Sequence, residues 1–364
     1  MPEEWINVAD AEREAAERLG PGPLGYFGGG AGDELTLREN LEAWRRWRFR
    51  PRVLVDTTAV STGTELLGGP LDLPVLIAPV AYQRIAHPDA EPGMAAAAAA
   101  AGTVMCLSTL ATTLPSEVAA TVPGGRRWFQ LYQFRDEAIT RALMAEAVGA
   151  GFEAIVVTVD APPGGNRERD LRTGFEIPEE IGVPSVEAAI GDSRPVTIRE
   201  TFDLMTRAMV WEDVGDLAAE ASVPVILKGI LTPEDAALAA EHGAAAVIVS
   251  NHGGRQLDRS PATADVLAEI VDAVDGRVPV LVDGGIRRGV DVAIALALGA
   301  DAVLVGRPAL WGLAAGGEEG VARVLEMLRS ELELTLALCG CTAPAELSRA
   351  HVRKAPPGGV YSRQ

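Results

Sequence analysis

Residues 224–251 read PVILKGILTPEDAALAAEHGAAAVIVSN, and this stretch shows how the chain is built. It begins and ends with short runs of consecutive apolar residues, Pro224–Gly229 and Ala246–Asn251, as is typical of parallel strands buried on both faces. Between the runs, threonine, proline and glutamate at 232–234 begin a predicted helix, Thr232–His242, which a glycine follows. The stretch therefore predicts one strand–helix–strand unit of a parallel α/β fold.

Similar apolar runs recur along the chain and predict eight strands. They are Pro74–Ala81, Thr103–Thr109, Trp128–Gln133, Ala154–Asp160, Pro224–Gly229, Ala246–Asn251, Pro279–Gly285 and Ala302–Pro308. Amphipathic stretches predict helices at Val8–Arg18, Glu34–Trp44, Asp136–Val148, Thr232–His242, Thr263–Val274 and Arg288–Leu298. Eight strand–helix units in succession favour a closed (β/α)8 TIM barrel, with an open doubly wound sheet as the alternative.

The rest of the chain surrounds this predicted barrel. We expect a single domain over residues 1–364, with a helical preface at 1–73 and with the barrel and C-terminal helices at 74–364. A long segment, residues 161–209, separates the fourth strand from its helix. A connection of that length inside a compact domain is usually a lid or a binding loop, or else it is disordered.

Composition excludes several functional classes. The 364 residues include 32 Lys and Arg against 51 Asp and Glu, a formal net charge of −19 at pH 7, which argues against nucleic acid or an anionic membrane as partner. The uncharged apolar stretch 93–107 is shorter than the ~18 residues of a membrane-spanning helix. The three cysteines form neither a disulfide framework nor a metal site, and the acidic N-terminus is unlike a signal peptide. We therefore expect a soluble cytoplasmic protein without a metal.

The predicted strands end in polar and charged residues, although a buried strand has no packing reason to do so. In a barrel of this kind the carboxyl ends of the strands form the active site. A phosphate cradle is predicted after the seventh and eighth strands, from Asp283, Gly284, Gly285, Arg287, Gly306 and Arg307. Glycines admit backbone N–H groups, the next helix supplies its positive end, and arginines neutralise charge. The alternative is an ordinary tight turn.

One histidine lies where a catalytic base would lie. His252 follows the sixth strand in a glycine-rich loop, whereas the other histidines fall in predicted turns or at helix ends. An ordinary imidazole titrates near neutral pH and suits proton abstraction, and Asp160 at the end of the fourth strand would orient it and stabilise its cation. The alternative is a structural histidine.

Further cations belong to the same rim. Arg255 lies three residues beyond His252, and Arg167 lies in the long segment after the fourth strand. Two guanidinium groups beside a base indicate a carboxylate-binding pair. Lys228 ends the fifth strand and needs an anionic partner. Its position leaves two roles open, a Schiff base with a substrate or charge stabilisation of a cofactor.

Several motifs resemble those of one enzyme family. The residues SNHGGRQLD at 250–258 are similar to the signature around the catalytic histidine of FMN-dependent (S)-2-hydroxy-acid oxidases and dehydrogenases, a family that includes glycolate oxidase, lactate oxidase and mandelate dehydrogenase. Supporting motifs, in chain order, are YFGGGAGDE, IAPVAYQ, AHP, FQLY, TVD, LKG and DGGIRRG. The resemblance extends over nearly the whole chain, from residue 6 to residue 353.

The resemblance implies FMN as cofactor and a role for each matched residue. His252 would accept either the α-proton or the hydroxyl proton of the substrate, Asp160 would stabilise the imidazolium, and Lys228 would stabilise the reduced flavin. The substrate's carboxylate and hydroxyl would contact four residues, Tyr26, Tyr132, Arg167 and Arg255. FMN would lie against Pro79, Val80, Ala81, Ser108, Gln130, Thr158 and Ser250, and the predicted cradle would bind its phosphate.

The implied reaction is oxidation of an (S)-2-hydroxy acid to the 2-oxo acid, with O₂ reduced to H₂O₂. Leu110 stands where glycolate oxidases carry tryptophan, so we expect a wider pocket that favours lactate or longer and aromatic 2-hydroxy acids over glycolate. Two alternatives are a dehydrogenase that passes electrons to a quinone or a protein, and a relative that modifies a peptide-derived precursor. The resemblance also implies a homo-oligomer, most simply a tetramer.

Overall fold

The computed structural model describes residues 5–161, 163–178, 180–191, 196–205 and 208–356. Within them the strands are β1 Trp47–Phe49, β2 Thr64–Leu66, β3 Gly69–Leu71, β4 Val75–Ile77, β5 Met105–Ser108, β6 Arg127–Leu131, β7 Ala154–Thr158, β8 Val225–Ile230, β9 Ala246–Val249, β10 Val280–Val282, β11 Ala302–Val305 and β12 Val352–Lys354. The helices are α1 Val8–Arg18, α2 Pro21–Gly28, α3 Leu35–Arg45, α4 Ala90–Ala100, α5 Pro115–Thr121, α6 Glu137–Gly149, α7 Glu168–Thr173, α8 Pro184–Ile190, α9 Ile198–Leu204, α10 Trp211–Glu220, α11 Pro233–Glu241, α12 Thr263–Val274, α13 Gly289–Leu298 and α14 Arg307–Cys339. None of the helices in this described part has the length and apolar character needed to cross a membrane.

Strands β4 to β11 form a closed barrel in which neighbouring strands run parallel. The barrel closes where β11 pairs with β4, with Val303 opposite Val75. Helices α4, α5, α6, α10, α11, α12, α13 and α14 follow the eight strands in turn. The closure confirms the predicted TIM barrel and excludes the open sheet.

Alternate strand residues build two separate cores. Trp128, Ile226 and Leu281 are fully buried and pack inside the barrel. Phe129, the neighbour of Trp128 along β6, belongs to the other core, between the barrel and its helices. This division follows from the pleat, which points successive side chains to opposite faces of a strand. The barrel interior is therefore filled, and a bound molecule must lie at one of its ends.

A short hairpin covers the amino ends of the barrel strands. Strands β2 and β3 pair antiparallel, and Leu66 and Leu71 join the interior core. Arg126, which directly precedes β6, donates hydrogen bonds of 3.2 Å to the carbonyl oxygens of Leu66 and Pro70. The opposite end, where the strands terminate at their carboxyl ends, is left for a site.

The preface contains more than the predicted helices. Helix α1 has its predicted bounds and α3 lies within one residue of its own, but α2, β1 and the β2–β3 hairpin were not predicted. Strand β1 pairs with β12, with Arg48 opposite Arg353. Strands of three residues are too short to show a periodic pattern, and α2 is glycine-rich, so its propensity for helix is low. Tertiary packing decides these elements.

The segment 161–209 contains the three short helices α7, α8 and α9 where it is described. Residues 162, 179, 192–195 and 206–207 lie outside the described residues. Helix α9 is attached to the end of β6, because Met205 forms a β-bridge with Phe134, and Arg135 N–H donates to Leu204 O at 2.9 Å. The end of α9 is therefore held against the barrel.

Candidate active site

One deep cavity opens at the carboxyl ends of the barrel strands and encloses about 1060 Å³, counted out to its mouth. Two predicted site residues, Asp160 and Ser250, lie behind its wall, against His252 and Lys228 respectively. All the other predicted site residues line it, namely Tyr26, Pro79, Val80, Ala81, Ser108, Leu110, Gln130, Tyr132, Thr158, Arg167, Lys228, His252, Arg255, Asp283, Gly284, Gly285, Arg287, Gly306 and Arg307.

His252 lies in a tight turn after β9. Its backbone φ is +57°, and Gly253 and Gly254 follow with φ of +62° and +75°. A non-glycine residue in the left-handed region is strained, and such strain persists only where the surrounding structure enforces it. In this conformation the imidazole lines the cavity and its Nδ1 lies 3.0 Å from Asp160 Oδ1.

A pair of buried amides supports this turn. Asn40 on α3 and Asn251 exchange side-chain hydrogen bonds of 2.8 Å in each direction. Asn251 Oδ1 also accepts from the Gly254 N–H at 3.1 Å, and its Nδ2 donates to Pro261 O at 3.0 Å. Sequence reasoning did not identify Asn40, because its partner is 211 residues away. Helix α3 thus holds the histidine turn from outside the barrel.

The protonation states of His252 and Asp160 suit a base with its orienting carboxylate. Burial opposes ionisation of Asp160, but His252 and Lys228 outweigh it and hold the pKa of this carboxyl below its usual value. Burial lowers the pKa of His252, Asp160 opposes this effect, and the positive charges of Lys228 and Arg167 reinforce it. Near neutral pH the pair is therefore a carboxylate beside a neutral imidazole, whose Nε2 can accept a proton.

Arg167 and Arg255 bring positive charge to the same cavity. Arg255 Nη1 donates to the carbonyl oxygens of Tyr26 and Gly29 at 2.5 and 3.0 Å, and its guanidinium lies 5.2 Å from the Tyr26 ring centroid. Burial, followed by the charge of Arg167, lowers the pKa of Arg255 to about 10. Arg167 Nε is buried and finds no hydrogen-bond partner within the described part of the chain. A bound carboxylate would satisfy both guanidinium groups.

Tyr26 and Tyr132 supply neutral hydroxyl groups. Both side chains are buried in the cavity wall. Burial raises the pKa of Tyr132 to about 12, and burial also raises the pKa of Tyr26. Both phenols therefore stay protonated near neutral pH and can donate hydrogen bonds to the oxygens of an acid.

Lys228 is a buried lysine that remains charged. Its Nζ donates to Ser250 Oγ at 3.0 Å and lies 3.3 Å from Asp283 Oδ2. Burial opposes the ammonium, but Asp283 and Asp160 outweigh it and raise the pKa of Lys228. A Schiff base requires a neutral amine, so these contacts favour charge stabilisation over Schiff-base chemistry.

Ser250 connects the lysine to the histidine turn. It is fully buried, and its Oγ accepts hydrogen bonds from Lys228 Nζ and, at 3.1 Å, from the His252 N–H. The predicted contact of Ser250 with the cofactor stays a prediction, and in the structure this side chain supports the lysine and the histidine turn.

The loops after β10 and β11 bring two arginines to the far end of the cavity, as the predicted cradle requires. Arg307 is fixed by hydrogen bonds of 2.8 to 3.0 Å to three carbonyl oxygens, those of Phe27, Gly29 and Gly253. The Arg287 guanidinium donates to the carbonyl oxygen of Ile286 alone, as far as the chain is described, while its backbone N–H donates to Asp291 Oδ2 at 2.9 Å. Burial lowers the pKa of Arg287 and carries that of Arg307 well below its usual value. Such cations are stabilised by a bound anion.

The glycines of the cradle are required by close packing. Gly284 and Gly285 have φ of +92° and +83°, and a Cβ added to Gly285 would lie 2.1 Å from Asn40 O. Trp44 Nε1 donates to Gly284 O at 2.8 Å. Helix α3 therefore packs directly against the cradle as well as against the histidine turn. The turn is tight, as the alternative interpretation had it, and Arg287 follows it two residues later.

Helix α9 contributes a wall residue that sequence reasoning missed. Phe202 lines the cavity and is half-buried. Thr197 and Glu200 form a capping box at the start of α9, a signal that is visible in the sequence. That signal predicts the helix, but the placement of the helix over the cavity depends on its bridge to the end of β6.

Comparison with known proteins identifies the family. A family model described as FMN-dependent dehydrogenase matches residues 15–354. The chain belongs to the FMN-dependent dehydrogenase family. Glycolate oxidase 3 of Arabidopsis thaliana is 45% identical over 357 residues, which cover 96% of each chain, and the glycolate oxidase of Spinacia oleracea matches to the same extent. A crystal structure of mandelate oxidase superposes with a TM-score of 0.89 at 42% identity, over 97% of this chain and 99% of that one.

Membership of the FMN-dependent dehydrogenase family confirms the predicted resemblance to FMN-dependent 2-hydroxy-acid oxidases, and with it the FMN cofactor. The residues present fit that cofactor. Gln130 and Asp283 line the cavity, and their buried atoms Nε2 and Oδ1 have no hydrogen-bond partner among the described residues. A polar ring system can therefore form hydrogen bonds with them. Arg287 and Arg307 at one end match a phosphate, and Lys228 matches a group that gains negative charge.

Proposed function

We propose that the protein oxidises an (S)-2-hydroxy acid to the 2-oxo acid and that the electrons pass through FMN to O₂, which becomes H₂O₂. The observation that carries this proposal is the His252–Asp160 pair, 3.0 Å apart, in the same cavity as Arg167 and Arg255. A histidine base that a carboxylate orients, beside two arginines that can bind a carboxylate, fits a substrate that carries a hydroxyl next to a carboxylate.

Each residue has a step in the proposed reaction. Arg167 and Arg255 hold the substrate carboxylate, and the Tyr26 and Tyr132 hydroxyls donate to its oxygens. His252 Nε2 then accepts the proton of the substrate hydroxyl as the C–O bond becomes a carbonyl. Asp160, on the other ring nitrogen, stabilises the imidazolium that results.

The cofactor supplies the oxidising power, because FMN accepts the two electrons that leave with the α-hydrogen. The chain's own residues would hold it and adjust its charge. Arg287 and Arg307 would bind the phosphate, and Lys228 would stabilise negative charge on the reduced ring. The remaining contacts would come from the residues that line the cavity at Pro79, Val80, Ala81, Ser108, Gln130 and Thr158.

The proposed substrates are lactate or longer and aromatic 2-hydroxy acids in preference to glycolate. Leu110 lies in the cavity wall, and Phe202 faces the same space from α9. A leucine and a phenyl ring offer an apolar surface to a substrate side chain, and glycolate has only a hydrogen in that position.

Anaerobic reduction of the FMN-loaded protein tests the proposal. We expect (S)-mandelate and (S)-lactate to bleach the visible absorbance of the flavin faster than glycolate does, and admission of O₂ to restore it with formation of H₂O₂. If no 2-hydroxy acid reduces the flavin, the proposed reaction is wrong. Rapid reduction followed by slow reoxidation with O₂, but fast reoxidation with a quinone, would assign the dehydrogenase alternative instead.

We also propose that the chain works as a homo-oligomer. Val53 and Leu54 are 80% and 103% exposed, and Leu334 and Leu338 on α14 are 60% and 66% exposed. An apolar surface of this kind is stabilised when a second copy covers it. Light scattering after gel filtration tests the proposal, and a monomeric mass at micromolar concentration would contradict it.

A further inference from the structure

Gln256 belongs to the SNHGGRQLD motif, but the proposed reaction gives it no role. Its side-chain amide connects the histidine turn to the start of the long segment after β7. Nε2 donates to Asp160 O at 2.7 Å and to Pro163 O at 3.0 Å, while Oε1 accepts from the Gly165 N–H at 3.0 Å. One side chain therefore uses both donors and its acceptor on three backbone groups within six residues.

Gly165 confirms how closely this segment lies against the histidine turn. A Cβ added there would lie 2.2 Å from Arg255 O and 2.6 Å from Gln256 O. A side chain of any other residue would push the two backbones apart. The close contact and the three hydrogen bonds thus act on the same stretch, residues 160–165.

Groups of the site lie at the start of that stretch and just beyond its end. Asp160 at its start orients His252, with Nδ1 and Oδ1 3.0 Å apart. Arg167 lies two residues beyond Gly165 and lines the cavity. Asp160 and Arg167 follow β7, whereas His252 and Arg255 follow β9. The connection that Gln256 makes between these two loops therefore determines how Asp160 lies against His252 and how Arg167 lies relative to Arg255.

We propose that Gln256 is a positioning residue that holds Asp160 against His252 and holds Arg167 in the cavity beside Arg255. The inference rests on the proposed function, and it assigns the residue that aligns the site residues after β7 with those after β9. Glutamine is required because two of the three partners are carbonyl oxygens. A glutamate there would place an anion against both carbonyl oxygens.

The test compares Gln256→Met and Gln256→Glu with Leu257→Ala, a control in the same loop whose leucine is 74% exposed. With rates normalised to bound FMN, both Gln256 variants should lower kcat/KM for the hydroxy acid by about 10²-fold, the cost of a displacement of about 1 Å. KM should rise because Arg167 is displaced, and kcat should fall because Asp160 is displaced. Leu257→Ala should leave both unchanged. Wild-type KM and kcat in Gln256→Met would overturn the proposal, and so would a lower kcat at unchanged KM.

A second readout does not depend on the chemistry. Arg167, Arg169 and Arg172 are sites for trypsin in or beside α7. We expect trypsin to cut there faster in Gln256→Met, and also in Gly165→Ala, than in the wild type or in Leu257→Ala. Equal cleavage in all four proteins would show that Gln256 does not hold the segment after β7 in place. If the wild type oxidises no 2-hydroxy acid, the proposed function fails, and the rate of cleavage still decides the role of Gln256.

Discussion

His252 Nδ1 and Asp160 Oδ1 lie 3.0 Å apart, although the two residues are 92 positions apart in the chain. They meet because β7 and β9 both end at the same rim of the barrel, with β8 between them. The imidazole thereby has a carboxylate on one nitrogen and the cavity on its other side. This arrangement determines the direction of proton transfer and leads to the first two predictions.

Replacement of the base should stop the chemistry without removing the cofactor. His252→Ala should lower the rate of anaerobic flavin reduction by about 10²–10⁴-fold, the usual contribution of a general base. FMN should stay bound, because the cradle arginines and Lys228 are untouched. Stopped-flow absorbance measures the rate, and His242→Ala, outside the cavity, is the control. A variant that reduces flavin at the wild-type rate would remove His252 from the base role.

Asp160→Asn should change the pH profile as well as the rate. The negative charge of Asp160 raises the pKa of His252 against the effect of burial, so its removal lowers that pKa further. The imidazole must be neutral to accept a proton, and the acid limb of kcat/KM should therefore move to lower pH in the variant. The maximal rate should fall, because the imidazolium loses its stabilising charge. An acid limb that stays in place, or moves to higher pH, would contradict the assignment.

The lowered pKa of His252 also affects the pH dependence of kcat/KM in the wild-type protein. Burial holds the pKa of His252 below its usual value, and Lys228 and Arg167 add to this effect. Activity in kcat/KM should therefore persist to pH values below about 6.5, where an ordinary histidine would already be half protonated. Measurement of kcat/KM across the acid range checks this, and an acid limb clearly above that value would show that a different group is titrating.

The two cradle arginines should behave differently when replaced. Arg287→Met should weaken FMN binding by about 10–100-fold, corresponding to the ~1.5–3 kcal/mol of a hydrogen bond to a charged group, and should leave the melting temperature of the apoprotein unchanged. Arg307→Met should lower both the affinity for FMN and the melting temperature of the apoprotein, because Arg307 also donates hydrogen bonds to the carbonyl oxygens of Phe27, Gly29 and Gly253. Arg288→Met, at an exposed neighbour, is the control for the FMN titration. Equal loss of apoprotein stability in the Arg287 and Arg307 variants would refute the distinction.

A larger side chain at position 110 should narrow the substrate range. Leu110 is 3% exposed in the cavity wall, so a tryptophan there crowds any substrate side chain. Leu110→Trp should lower kcat/KM for mandelate by about 10–100-fold, in line with the ~1–3 kcal/mol cost of overpacking, and should spare glycolate. Ile6→Trp, at a position that is 81% exposed and outside the cavity lining, controls for the substitution itself. A parallel loss for both substrates would argue against a side-chain pocket at this wall.

Much of the barrel could be predicted because parallel strands buried on both faces leave a plain signal. Each of the eight apolar runs contains one barrel strand or overlaps it, and Val8–Arg18 and Thr263–Val274 match their helices at both ends. The signal is local, since burial of every side chain along a strand requires consecutive apolar residues. The charged residues that follow these runs predicted the cavity lining for the same reason, because barrel geometry brings all strand ends to one rim.

Other features depend on contacts between distant parts of the chain. The hairpin β2–β3 and the β1–β12 pair have no pattern of their own and form where the barrel and the C-terminal segment offer partners. The bonds that Ser250 Oγ accepts from Lys228 and from the backbone of its own turn were not predicted either. Asn40, Phe202 and Gln256 act through hydrogen bonds or packing with residues far away in sequence. The amino-acid pattern alone thus specified the barrel and the residues of its rim, whereas the chain's three-dimensional packing set which rim residues face the cavity and which hold them, because side-chain hydrogen bonds form only after distant segments meet.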